Sequence, residues 1–142
     1  MGKKRVQRVD IGAKKVYITI MKTINVIDNK EFLTILADVK VEVIKLFGEK
    51  LQQLVLFGSY ARNEQDSESD VDIMILAEEG EDELRKNRPL VANIIAELSL
   101  KHEKLISLTQ VPYTRYHEYL DILPFYRNVY DEGVEIYGKK TA

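Results

Sequence analysis

Two aspartates, Asp70 and Asp72, stand one residue apart at the start of the apolar run Val71-Asp72-Ile73-Met74-Ile75-Leu76. On a strand, positions i and i+2 point to one face, so both carboxylates face one side while Val71 packs on the other. Carboxylates placed together repel each other unless a cation lies between them. Hard divalent ions such as Mg²⁺ take oxygen ligands, often one or two carboxylates completed by substrate phosphates. An Asp-x-Asp pair alone is a weak signal, because most such pairs are solvated strand ends.

A second feature lies just upstream. Leu54-Val55-Leu56-Phe57 is a short buried strand that empties into Gly58-Ser59, and Tyr60-Ala61-Arg62 can begin a helical turn. Glycine lets the backbone turn sharply and lets a ligand approach closely. The first N–H groups of a helical turn, with a serine hydroxyl beside them, form an anion site. Alone, this junction is most often a plain turn with a serine cap. Together, an anion cradle and a carboxylate pair are two halves of a nucleoside-triphosphate site. From Glu64 to Glu83 the chain carries ten acidic residues and no basic one. That field attracts Mg²⁺ and repels a free triphosphate, which points to a nucleotide entering as its magnesium complex.

The stretch from Leu54 to Leu76 resembles the signature of the DNA polymerase β-type nucleotidyltransferase superfamily, Gly-Ser-x(10)-Asp-x-Asp, with ten residues between Ser59 and Asp70. The short chain is similar to the minimal nucleotidyltransferases of prokaryotes, whose antitoxin branch partners a helical toxin ribonuclease. The resemblance implies that Gly58 and Ser59 bind phosphate, that Asp70 and Asp72 are catalytic ligands of Mg²⁺, and that Arg62 helps with phosphate or braces the loop. It also implies a third carboxylate on a later strand. Here the sequence departs from the pattern. Lys104-Leu105-Ile106-Ser107-Leu108-Thr109 has no acid among its apolar residues, Ser107 fills the expected slot, and Glu103 lies just ahead of the strand. A serine cannot act as the base for an attacking hydroxyl.

The expected activity is therefore Mg²⁺-dependent transfer of a nucleoside monophosphate, AMP from ATP, to an acceptor hydroxyl. The resemblance suggests a side chain of a partner toxin as the acceptor rather than a growing nucleic acid, since so short a chain has little room for a template-binding domain. The alternative is a degenerate nucleotide-binding antitoxin module without turnover, which the missing third acid favours.

These residues need elements to hold them. Asp28 and Glu31 fit a capping box, and Phe32, Ile35, Leu36, Val39, Val43 and Phe47 follow at helical spacing until Gly48. The spacing predicts strands over 54–57, 71–76 and 105–111. It predicts a second helix through Leu90, Val91, Ile94, Ile95 and Leu98, with Pro89 placed in its first turn. Two short helices, 113–120 and 125–130, precede an extended tail, Val134-Glu135-Ile136-Tyr137. His102 and His117 read as packing or surface residues. The order predicts an α/β (α+β) domain, a small mixed sheet flanked by helices as in the polymerase-β palm.

Composition sets the outer bounds. With 142 residues, 45% of them hydrophobic, the chain has material for one domain with a real core. The absence of cysteine excludes disulfides, thiolate metal sites and cysteine nucleophiles. No apolar run reaches the ~18–20 residues of a membrane helix, so the expected location is the cytoplasm, with no membrane partner. The net charge of −2 conceals +6 on residues 1–22 and −8 on the rest. Residues 1–22 are expected to be a basic arm or hairpin ahead of a nucleotidyltransferase domain over 23–142, and Met21 is a possible alternative start. Nucleic acid is not the expected partner, because charge runs are usually solvated faces.

Overall fold

The structure is a computed structural model and describes residues 7–8 and 29–139. Helix α1 (Asn29–Phe47) leads through one 3₁₀ turn to strand β2 (Leu51–Phe57); β1 is the two-residue strand Gln7–Arg8. Then come β3 (Val71–Ala77), α2 (Glu81–His102), β4 (Ile106–Pro112), α3 (Tyr113–Glu118), α4 (Pro124–Glu132) and β5 (Val134–Gly138). The sheet order is β1-β5-β2-β3-β4. β2 runs antiparallel to β3 and β5, whereas β3 and β4 are parallel, as are β1 and β5. This is the mixed sheet with flanking helices that the residue pattern predicts.

The sheet is apolar on both faces. Val71, Ile73, Ile75, Leu54, Leu56, Ile106 and Leu108 pack with Phe32, Leu36, Val39 and Val43 of α1 and with Leu84, Val91 and Leu98 of α2. The alternate residues Val55, Met74, Leu76 and Val111 pack with Tyr116 of α3 and with Tyr126 and Val129 of α4. By strand alternation, Asp70 and Asp72 share the second face with Met74 and Leu76, at the end of β3 where it begins. α1 and α2 are also tied by polar contacts. Asp38 Oδ2 accepts a hydrogen bond from Lys101 Nζ at 2.8 Å, and His102 Nε2 lies 2.8 Å from the same oxygen.

Three elements differ from the sequence expectation. β2 begins at Leu51, three residues early, because Gly48 (φ +57°) and the 3₁₀ turn reverse the chain sooner. α2 begins at Glu81, so Pro89 lies inside it rather than in its first turn. The helix tolerates this because Pro89 and Arg85 are both exposed, and the Arg85 carbonyl that loses its N–H partner can bind water. Lastly, the expected tail is β5, inserted between β1 and β2.

His102 is buried against Asp38, a partnership that its spacing in sequence does not announce. The basic arm or hairpin expected over residues 1–22, the Asp28 cap, Met21 and the boundary between 22 and 23 lie outside the described residues, apart from Gln7–Arg8 paired with Val134–Glu135.

An interior proline costs ~3 kcal/mol relative to alanine in a helix, less where the helix has adapted around it. Pro89→Ala is expected to raise the unfolding free energy by about 1–3 kcal/mol in urea denaturation. A neutral or destabilising result would show that the proline is accommodated without cost.

Candidate active site

β2 delivers Phe57 opposite Asp72, and the chain then turns at Gly58 with φ +77°. That left-handed conformation suits glycine for a second reason here. A Cβ on Gly58 would lie 2.5 Å from Asp72 Oδ2, so the carboxylate occupies the space a side chain would need. The turn that follows is closed by the Gly58 carbonyl, which accepts from Ala61 N–H at 3.1 Å and Arg62 N–H at 3.2 Å. The Ser59 carbonyl accepts from Glu64 N–H at 2.9 Å. Ser59 therefore opens a helical turn, with the first N–H groups of that turn ahead of its hydrogen bonds.

Tyr60 anchors the turn from below. Its buried ring stacks on Phe32 of α1, with centroids 5.1 Å apart and planes 7° from parallel. Lys104 Nζ sits 5.4 Å from the Tyr60 ring centroid and donates to the Ser67 carbonyl at 3.3 Å. The loop toward Asp70 is held by its own side chains: Glu68 N–H donates to Asp66 Oδ1 and Asp66 N–H to Ser69 Oγ, each at 2.9 Å. Val71 N–H then donates to the Leu105 carbonyl at 2.9 Å, which starts the β3–β4 ladder.

Asp72 is half-buried, and its carboxyl is pushed above the usual carboxylate range. Burial is the first cause and the charge of Asp70 the second, while Arg62 acts in the opposite direction. Arg62 is itself held between two acids, with Nε 3.5 Å from Glu64 and Nη1 3.5 Å from Glu132 at the end of α4. Ser107 is the register partner of Asp72 on β4, so it shares the carboxylates' row and face. Glu103 is exposed and ends α2 with φ +50°, outside β4 and outside that row.

The structure thus brings Gly58, Asp72 and Ser107 to one end of the sheet, with Ser59 and Arg62 on the turn above and Asp70 one alternate position before Asp72. Tyr60, Lys104 and Glu132 support this site and were not legible as partners in sequence. Glu132 lies 70 positions from Arg62, and no spacing rule links them. Among the described residues, no group of three or more His, Asp or Glu side chains has a metal-holding arrangement. Two carboxylates on one strand face still suit a hard cation that is completed by substrate phosphates. A separate cavity of about 810 Å³, lined by residues including Glu78, Glu79, Pro112 and Arg115, lies at the opposite end of β3.

Residues 36–134 match the family model described as nucleotidyltransferase domain. The chain belongs to this nucleotidyltransferase family. It is 38% identical over 77 residues to a protein of Methanocaldococcus jannaschii named "Putative protein adenylyltransferase", which covers 54% of this chain and 76% of that protein. Among solved structures, a toxin–antitoxin MntA–HpeT variant aligns with TM-score 0.45 and 18% identity, over 72% of this chain and 74% of that one. A toxin–antitoxin complex with AMP-PNP aligns with TM-score 0.43 and 21% identity, over 71% and 74%. Family membership rests on the family model and the archaeal sequence. No helix among the described residues of this nucleotidyltransferase is long and apolar enough to cross a membrane.

The raised carboxyl of Asp72 has a sign that can be tested. An acid whose folded pKa lies above its unfolded value of 3.8 costs the fold stability once pH exceeds the folded pKa, and costs nothing below 3.8. In metal-free buffer, Asp72→Asn is therefore expected to melt at a higher temperature than wild type at pH 7. The advantage is expected to shrink to nothing below about pH 4. An advantage that persists unchanged in acid would assign it to something other than the charge.

Proposed function

We propose that this nucleotidyltransferase moves AMP from ATP, with Mg²⁺, to a hydroxyl on a partner protein. The observation that carries the reading is the packing of the Gly58 turn directly against the Asp72 carboxylate, which sets the phosphate-binding and acidic halves of the site side by side. In this reading Ser59 and the N–H groups of its turn hold the β- and γ-phosphates, and Arg62 leaves its acidic neighbours to bind them. Asp70 and Asp72 hold Mg²⁺, which when bound neutralises phosphate charge and orients the α-phosphate. The acceptor oxygen attacks the α-phosphorus, the bond from that phosphorus to the bridging oxygen breaks, and pyrophosphate leaves. The acceptor's proton passes to a site carboxylate or to water.

Adenylyl as the transferred group and protein as the acceptor are supported by the name of the archaeal relative. A toxin as that protein follows from the resemblance to the minimal nucleotidyltransferases, whose antitoxin branch partners a toxin ribonuclease. A cytoplasmic setting, where ATP and Mg²⁺ are abundant, belongs to the same proposal.

Ser107 favours a second reading, nucleotide binding without turnover. It stands beside Asp72 where a third acid would lie, and general-base help is worth ~10²–10⁴ in rate. Labelled ATP with Mg²⁺ and a lysate of the source organism separates the two readings: a labelled protein band supports transfer, and binding without label supports the second. Asp70→Asn and Asp72→Asn are each expected to abolish Mg²⁺-dependent ATP binding while keeping the fold. Wild-type affinity in both variants would overturn the site. Ser107→Asp is expected to make the melting temperature more dependent on Mg²⁺ than that of wild type, and an unchanged dependence would remove Ser107 from the site.

A further inference from the structure

Phe57 is the last residue of β2, the cross-strand partner of Asp72 on the same face, and the residue just before Gly58. Its ring carries a second aromatic. Phe125, in the first turn of α4, packs against it edge to face, with centroids 5.5 Å apart and planes at 78°. Phe125 also touches Tyr126, at 6.0 Å and 47°. Yet Phe125 remains 45% exposed, whereas Tyr116 and Tyr126 on the same side of the sheet are 1% and 8% exposed. A ring fixed by its neighbours but open to solvent is a preformed flat apolar surface; other apolar side chains are as exposed, and Phe125 stands apart from them by packing on the residue paired with Asp72.

The row runs from Ser107 through Asp72 to Phe57, and the Phe125 ring packs directly on that of Phe57. Cross-strand partners stand ~4.5–5.5 Å apart and the two rings 5.5 Å, so Phe125 lies within roughly 10 Å of Asp72, a span that a ribose and its base can bridge.

We propose that Phe125 is the surface on which the base of the bound nucleotide stacks. The proposal rests on the triphosphate site described under Proposed function. With the β- and γ-phosphates on the Gly58-Ser59 turn and the α-phosphate at Asp70 and Asp72, the ribose lies over Phe57 and the base reaches Phe125. Phe57 supports the shelf and Phe125 is its open face. Stacking of this kind accepts any base, since every base has a π-face. Phe125 therefore contributes affinity for nucleosides as a class, with the larger purines favoured.

The test compares two ligands that share a triphosphate and differ in the nucleoside: ATP and inorganic tripolyphosphate, each titrated with Mg²⁺ into the full chain by calorimetry. Phe125→Ala and Phe125→Leu are expected to weaken ATP binding about tenfold, the equivalent of ~1.4 kcal/mol. Both are expected to leave tripolyphosphate affinity within about twofold, while Phe125→Tyr keeps wild-type affinity for both ligands. Unchanged ATP affinity in Phe125→Ala and Phe125→Leu would overturn the stacking role. Equal weakening of both ligands would overturn it too, by assigning Phe125 to the support of the phosphate turn. A wild-type chain that binds neither ligand would overturn the triphosphate site itself, and the base shelf with it.

Discussion

The site depends on one contact, between the backbone of Gly58 and the carboxylate of Asp72. It requires β2 to end in a residue that reaches positive φ and carries no side chain, and β3 to present an acid at that same level. Pairing of Phe57 with Asp72 sets the level. A slip of one residue would turn Asp72 onto the face packed by α1 and α2, among Phe32, Val39 and Val91. Because β3 is apolar on both faces beyond Asp72, hydrophobic alternation alone would resist that slip weakly. An uncompensated carboxylate in the wrong core supplies the resistance, since burying an unpaired charge is among the largest penalties a fold can meet.

The electrostatics of the same end of the sheet are unfavourable by construction. Burial and Asp70 both oppose the charge on Asp72, and the cation that favours it, Arg62, is shared with Glu64 and Glu132. The surrounding scaffold is tied at several points, although the Gln65 amide in the loop before Asp70 is buried with neither polar atom hydrogen-bonded among the described residues. Tyr60 is stacked on Phe32, Lys104 bridges the loop, and Asp66 and Ser69 close their own turn. A strained charge pair on a rigid support is a common feature of sites that hold charge in readiness for a ligand, at some expense to stability.

Much of this was legible in the sequence because it is local. The strand into Gly58, the i, i+2 acids and the buried flanks of Ser107 each follow from periods of two and from glycine chemistry. The sheet places Ser107 beside Asp72, as alternation predicts. What escaped is non-local or is decided by solvent. Pro89 looks like a helix start, but an exposed carbonyl four residues back removes the reason to stop. Val134–Tyr137 reads as extended, yet no local pattern says which strands it joins. The Arg62–Glu132 pair and the Phe57–Phe125 contact join residues about 70 positions apart, and each is created only when α4 packs on β2.

That same placement of β5 governs the order in which the molecule can be completed during synthesis. β2 and β3 emerge from the ribosome together and can pair at once, but the other edge of β2 stays open until residues 134–138 arrive. α4, which carries Phe125 and Glu132, leads directly into that strand through Gly133, where a Cβ would lie 2.5 Å from Val55 Cγ1 and 2.4 Å from the Val129 carbonyl. The nascent chain therefore carries its signature residues for more than sixty positions before the strand that covers β2 is made. In that interval β2 is a bare edge open to wrong partners. Maturation of the site is thus timed by the late part of the chain, not by the stretch that bears the motif.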